Sequence, residues 1–256
     1  MLLTIDIGNT TVSLGVWEGN KIVRVHSIES TLPPYQLQQA LKKILSRLQK
    51  RFPVPQAVVI CSVVPKVLAF VERQISRQMK IQAKVVGRDI KVPLKNNYRR
   101  PREVGQDRLV CAYAAKCLYG QPLIIIDLGT AITFDVVSRR GAYEGGMIVP
   151  GIRMSADSLF QKTALLPKID AIKAPRALIG KNTRESILSG LFFGYGAMCC
   201  GLIDRLSLKI TEKPKVIVTG GHTRLMKKFI AGKITKIDRH LVFKGMKLLS
   251  DEARKQ

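Results

Sequence analysis

The chain carries the same interrupted strand twice. "LLTIDIGNTTVSLGV" at 2–16 and "LIIIDLGTAITFDVV" at 123–137 each begin as an apolar run, break at Asp-x-Gly with a small hydroxyl residue close behind, and resume as a second apolar run. One copy alone would read better as a hairpin turn, since Asp and Gly are ordinary turn formers. Two copies nearly half the chain apart point instead to two similar α/β halves facing each other across a cleft, a favoured place for a ligand.

The flanking pattern repeats as well. Residues 2–7, 12–18 and 21–28 read as strands, with a turn at Glu18-Gly19-Asn20. A helix is expected over 35–51, where Leu37, Leu41, Ile44, Leu45 and Leu48 recur at spacings of three and four and so share one face. "AVVIC" follows as a buried strand, Pro65 can open a helix at its first position, and 81–86 reads as another strand. In the second half, strands are expected at 123–127, 131–138 and 142–149, with a turn at 139–141 and an end at Pro150-Gly151. Helices are expected at 152–163, at 184–208 with Asn182 or Thr183 as cap, and at 222–231; "KVIVTGG" is a strand between the last two, and a final helix closes the chain. The expected division places one half at 1–117 and the other at 118–256.

Composition narrows the class. The chain is 46% hydrophobic, enough for one large core or two modest ones. Asp6 comes too early for a signal peptide, and the Gly-interrupted stretch "GLFFGYGAMCCGLI" is shorter than the roughly 18 to 20 apolar residues that span a bilayer, so a soluble protein is expected. Five cysteines without a Cys-x-x-Cys pair argue against a disulfide framework or a zinc site and for buried thiols in a reducing cytoplasm. Lys and Arg number 43 against 18 Asp and Glu, a formal charge of +25 that would attract any polyanion. The basic residues are scattered and lack the aromatic interleaving that stacks bases, so no specific nucleic-acid partner and no membrane partner is expected.

A glycine turn at a strand end lets backbone approach a ligand closely and presents amide hydrogens and a hydroxyl to an anion, which suits phosphate. An aspartate beside phosphate would be repelled unless a cation lies between them, so Asp6 and Asp127 imply a metal ion or water bound to one. Neither a P-loop nor a complete dinucleotide fingerprint is present to compete.

"DIGNT" at 6–10, "GQDR" at 105–108, "DLGTAITFD" at 127–135, "GGMIVPG" at 145–151, "GKNTRESILSGLFFG" at 180–194 and "VTGG" at 218–221 together resemble type III pantothenate kinase, in that family's order and nearly end to end. The resemblance implies duplicated ribonuclease-H-like halves of the actin, Hsp70 and sugar-kinase type around a nucleotide cleft. It implies ATP-dependent phosphorylation of pantothenate to 4′-phosphopantothenate, the first step towards coenzyme A. It further implies that Asp6, Ile7, Gly8, Asn9, Thr10, Thr11, Val12 and Ser13 form the first phosphate motif, that Thr130 is the other ATP contact, and that Gly220 and Gly221 lie on the adenosine side. Tyr98, Gly105, Gln106, Asp107, Arg108 and Thr183 match the pantothenate contacts, with Asp107 as proton acceptor. Magnesium is implied near Asp6, at one remove through water, and potassium or ammonium at Asp127. A homodimer is implied too, with "TALLP" at 163–167 reaching the neighbouring subunit's pantothenate pocket.

Several of these residues also admit plainer readings. Asp107 could be the N-cap of a helix over 108–118, Arg108 a surface charge, Tyr98 a ring packed on a loop, and the 163–167 segment a helix end closed by Pro167. Two other functions fit parts of the pattern. A ribonuclease-H-like nuclease would use Asp6, Asp127 and Asp135 as metal ligands, and a regulatory accessory factor of the same fold would associate with nucleic acid.

Overall fold

The protein is described from a computed structural model, over residues 1–210 and 212–254. It divides into two compact units. The first comprises Met1–Leu94, Arg100–Ala114 and the segment from Leu241 on; the second comprises Lys95–Arg99 and Ala115–His240. The join expected at 117 falls close to that between Ala114 and Ala115, but the last helix belongs to the first unit.

In the first unit β1 (Leu2–Ile7), β2 (Thr11–Glu18) and β3 (Lys21–Glu29) form an antiparallel meander, followed by α1 (Pro34–Arg51), β4 (Ala57–Ser62), α2 (Pro65–Met79) and β5 (Lys84–Val85). The sheet order is β3-β2-β1-β4-β5, with β4 parallel to β1 and β5 parallel to β4. Proline in the first turn starts α1 and α2, where its missing N–H costs nothing. Pro53, two residues past the end of α1, holds the capping Phe52 extended, which stops the helix there. The expected strand at 81–86 is shortened to the two residues of β5, at the sheet edge.

Alternation along β1 sorts this unit's core. Leu3, Ile5 and Ile7 pack with Val12, Leu14 and Val16 against Leu37, Leu41 and Leu45 of α1 and Val71 and Ile75 of α2. Leu2, Trp17, Val59 and Cys61 face the other way. They are covered by Val110 and Tyr113 of α3 (Gln106–Tyr119) and by Phe243, Met246 and Leu249 of α7 (Leu241–Glu252). Thr4, fully buried on that second face, is satisfied by donating to Gly15 O at 3.1 Å and accepting from Trp17 Nε1 at 2.9 Å.

The second unit repeats the plan. β6 (Leu123–Leu128), β7 (Ala131–Val137) and β8 (Tyr143–Pro150) form the meander, then come α4 (Ile152–Lys162), α5 (Thr183–Lys209), β9 (Lys215–Thr219), α6 (Thr223–Ile230) and β10 (Lys236–Ile237). The order β10-β9-β6-β7-β8 is that of the first sheet read from its other edge, with β6 in the place of β1. The likeness reaches single residues: β2 slips register against β3 between Val16 and Trp17, and β7 slips against β8 between Val136 and Val137, in each case after the sixth residue of the strand. β10, a two-residue edge strand, has no counterpart among the strands expected from sequence.

Asn182, not Thr183, caps α5: its side chain accepts from Glu185 N at 2.9 Å while Glu185 Oε2 accepts from Lys181 N at 2.8 Å. By length and composition α5 is apolar enough to cross a membrane, because the charge-free run begins at Ser186, directly after Glu185, and reaches Ile203, four residues longer than the stretch that begins at Gly190. In this structure Ile187, Leu191, Phe192, Cys199 and Ile203 bury one side of it in the second core with Ile124, Ile126 and Leu128.

Candidate active site

At the end of β1, alternation puts Asp6 on the face covered by α3 and α7, and Ile7 on the opposite, fully buried face. Asp6 stands across the sheet from Ser13 on β2 and from Cys61 on β4. Ser13 in turn pairs with Ser27, hydroxyl to hydroxyl at 2.9 Å. The second unit has the matching row: Asp127 faces Thr133 on β7 and Thr219 on β9. Each sheet therefore ends its first strand with a carboxylate flanked by small side chains.

The turns beyond the carboxylates are similar but not equal. Gly8 N–H donates to Thr11 O at 2.9 Å, whereas Gly129 N–H donates to Ala131 O at 3.1 Å, so the first turn is one residue longer. Asn9, Thr10 and Thr11 are exposed; Ile7 and Val12 are wholly buried, so of residues 6–13 these two have only backbone to offer a ligand. Neither Gly8 nor Gly129 has positive φ, so backbone conformation does not call for glycine in either turn. Their reasons differ. A Cβ on Gly129 would stand 3.2 Å from Asp127 Oδ1, while a Cβ on Gly8 would meet only Thr11 O at an ordinary 3.6 Å. Nothing among the described residues of the first unit demands glycine at position 8.

Two further segments buttress the second turn. Gly220, with φ of 96°, leaves the space that Asp127 Oδ1 and the Leu128 backbone occupy. Gly151 lies so close to the Gly129 and Thr130 carbonyls that a Cβ there would overlap them, and its N–H donates to Thr130 O at 2.9 Å. Gly221 faces open space. His222 adds two contacts, its N–H to Leu128 O at 2.9 Å and its Nδ1 to Gly129 O at 3.2 Å. Neither Gly151 nor His222 was among the site residues found by sequence reading; "VPG" and "TGGH" contained the only signals.

The 105–108 segment opens α3 in the first unit. The helix starts at Gln106, so Asp107 lies within its first turn and not at the N-cap before it. Its Oδ1 accepts from Arg108 N at 2.8 Å and occupies the room that Gly105 leaves by lacking a side chain. Asp6 and Asp107 both act on the thiol of Cys61: burial foremost, then these two carboxylates, push it well above its ordinary value. The magnesium candidate and the base candidate thus share one face and one end of the first sheet. Arg108 is half-buried, which removes the reading of a solvated surface charge. Gln106 lies over Gly87, where a Cβ would sit 2.7 Å from its side-chain carbonyl carbon.

Tyr98 belongs to the second unit. Lys95–Arg99 runs beside β8, with Asn97 N–H donating to Tyr143 O at 2.9 Å and Tyr143 N–H to Lys95 O at 2.8 Å, and the half-buried Tyr98 ring rests against Gly145. Thr183, exposed, is the first residue of α5. Asp135 has other work: 2% exposed, it accepts from Tyr143 OH at 2.7 Å and from Thr133 Oγ1 at 3.0 Å. That is how a core polar group is satisfied, and nothing favours the nuclease or accessory-factor alternatives.

Two five-stranded sheets of one topology, each ending its first strand in an Asp-x-Gly turn, define the nucleotide-handling fold of actin, Hsp70 and the sugar kinases. Solved structures agree at the level of fold. Ethanolamine utilization protein EutJ from Carboxydothermus hydrogenoformans is similar with a TM-score of 0.59 at 12% identity, over 96% of this chain and 89% of that one. MreB 5 of Spiroplasma citri, in its AMPPNP complex, scores 0.55 at 12% identity over 99% and 97% of the two chains. The family model of type III pantothenate kinase matches residues 2–205, and the type III pantothenate kinase of Chlorobaculum parvum (strain DSM 263 / NCIMB 8327) is 37% identical over 253 residues, 96% of this chain and 93% of the relative. The chain belongs to the type III pantothenate kinase family and is a phosphotransferase that phosphorylates pantothenate at the expense of ATP, in coenzyme A biosynthesis.

Proposed function

We propose that the two Asp-x-Gly turns take the ATP phosphates, residues 6–13 in one unit and Thr130 with Gly129 in the other, and that Gly220 and Gly221 lie on the adenosine side. The observation that carries this reading is Gly8. With ordinary φ and room for a Cβ inside its own unit, its missing side chain is best explained by something outside the fold that comes close to the backbone. Pantothenate is held by Tyr98, Gly105, Gln106, Arg108 and Thr183. The Arg108 guanidinium takes its carboxylate through paired hydrogen bonds, and Asp107 accepts the proton of its primary hydroxyl as the γ-phosphate is attacked in line. No residue needs to be phosphorylated on the way. Positioning and charge neutralisation provide most of the rate.

The residues fit the implied cations. The described residues contain no group of three or more metal-ligating side chains, so magnesium would be held by phosphate oxygens and water with Asp6 behind them, its usual habit. Asp127 lies in the cradle left by Gly129 and Gly220, in a row with two threonines, an oxygen-rich setting suited to potassium or ammonium. Such cations would offset the charge on the transferring phosphoryl group. We also propose a cytoplasmic homodimer. Its support is a set of exposed apolar side chains on the second unit: Leu165 at 92%, Ile179 at 70%, Leu178 at 64% and Ile148 at 61%. Leu165 lies in the 163–167 segment through which the resemblance implies a contact with the neighbouring pocket.

A coupled assay of ATP consumption, with and without pantothenate, tests the reading. Consumption is expected only with pantothenate, and it should collapse when sodium replaces potassium at equal ionic strength. Equal rates in the two salts would remove the cation role from Asp127.

A further inference from the structure

We infer that His222 is a positioning residue for the second phosphate turn, its ring holding the Gly129 carbonyl and thereby fixing the peptide that presents Thr130 to ATP. The inference rests on the proposed ATP contact of that turn. A carbonyl cannot donate, so the 3.2 Å contact between His222 Nδ1 and Gly129 O requires the hydrogen to be on Nδ1. The ring starts from a fixed point. His222 N–H is tied to Leu128 O, and its own carbonyl accepts from Leu225 N and Met226 N, both at 3.0 Å, at the start of α6. A trans peptide directs its C=O and N–H to opposite sides. Holding the Gly129 carbonyl towards His222 therefore turns the Thr130 N–H away from it. Thr130 O is itself held by Gly151 N–H, so the peptides on both sides of Thr130 are set by neighbouring segments.

The first unit provides an internal comparison. There Val63 N–H donates to Ile7 O at 3.1 Å, the counterpart of His222 N–H to Leu128 O, but valine has no donor with which to reach the glycine carbonyl. The backbone clamp is common to both units, and the ring contact belongs to the second alone. The shorter second turn relies on a side chain from elsewhere; the longer first turn has Thr10 O tied to Ser30 N at 2.9 Å instead.

Three variants test the inference. His222→Asn places an amide donor near the Nδ1 position, His222→Phe keeps an aromatic ring without a donor, and Thr130→Val tests the underlying reading of the turn. Binding of a non-hydrolysable ATP analogue to the whole protein, measured by calorimetry without pantothenate, is the readout. His222→Phe should weaken binding about 3- to 10-fold, the worth of one ordinary hydrogen bond. His222→Asn should restore most of the loss, and the KM for pantothenate at saturating ATP should not move in either variant. Full affinity in His222→Phe together with weakened binding in His222→Asn would mean that the ring only fills space, and would overturn the inference. If Thr130→Val weakens binding and His222→Phe does not, the turn binds ATP and the role of His222 is wrong. Unchanged affinity in both Thr130→Val and His222→Phe would defeat the reading of the turn and the inference with it.

Discussion

An aspartate in the first turn of a helix can serve the helix or the substrate, and at Asp107 one exchange of oxygen for nitrogen separates the two. Asp107→Asn keeps the size and the oxygen that accepts from Arg108 N, so melting temperature and ATP binding should hardly change. Turnover should fall by roughly 10² to 10⁴ if the carboxylate takes the substrate proton. Near-normal turnover would leave Asp107 as a helix-end residue. The buried thiols offer a second prediction. Burial, then the neighbouring Cys200, raises Cys199 to about 12, whereas in the unfolded chain it would ionise near 9.0. Above that pH the unfolded state loses a proton that the native state keeps, so stability must fall as pH rises. Between about pH 8 and pH 10 the melting temperature should drop less steeply in Cys199→Ala than in the parent protein. Equal slopes would refute this. Cys117, which the sequence suggests is buried, is exposed and plays no part.

At the scale of elements, the glycines of the turns divide into those the fold requires and one it does not. Gly8→Ala has room within its unit and should change stability by less than about 0.5 kcal/mol while weakening ATP binding. Gly151→Ala overlaps the Gly129 and Thr130 carbonyls and should cost about 1 to 3 kcal/mol. Chemical denaturation with nucleotide titration measures both, and a destabilised but tightly binding Gly8→Ala would reverse the assignment. The same elements show what the sequence made legible. β1 and β6 announce themselves because alternating and continuous apolar runs have no other home than a buried sheet, and the Asp-x-Gly breaks mark the site directly. β10 could not be read and β5 was read too long, since a two-residue edge strand has no period to detect. The start of α3 was misplaced by two residues because Gln106 carries no start signal, while the Asn182 cap, with Glu185 three residues on, was within reach. His222 left no trace because its contact depends on where two distant backbones meet.

At the scale of the whole molecule, the formal +25 is not explained by the reaction. α1 has no Asp or Glu among 18 residues, and Lys42, Lys43, Arg47, Lys50 and Arg51 are all exposed. Such a surface should retain DNA weakly at low salt, without preference for sequence, and release it near physiological salt as counterions reclaim the phosphates. A fluorescence anisotropy titration against two unrelated duplexes at several salt concentrations is the measurement. Tight binding to only one of them at physiological salt would show a second activity.

The return of α7 to the first unit has a temporal meaning. During synthesis, everything needed for the second unit, from Ala115 to His240 together with Lys95–Arg99, leaves the ribosome before Leu241 does. The first unit, although its sheet is made earliest, keeps Leu2, Trp17 and Val59 without Phe243, Met246 and Leu249 until the final helix emerges. The half translated last is thus the first that can finish folding. The half carrying Asp6 and Asp107 is completed only when translation has passed Leu249, so a truncated product would hold one finished half and one with part of its core open to water.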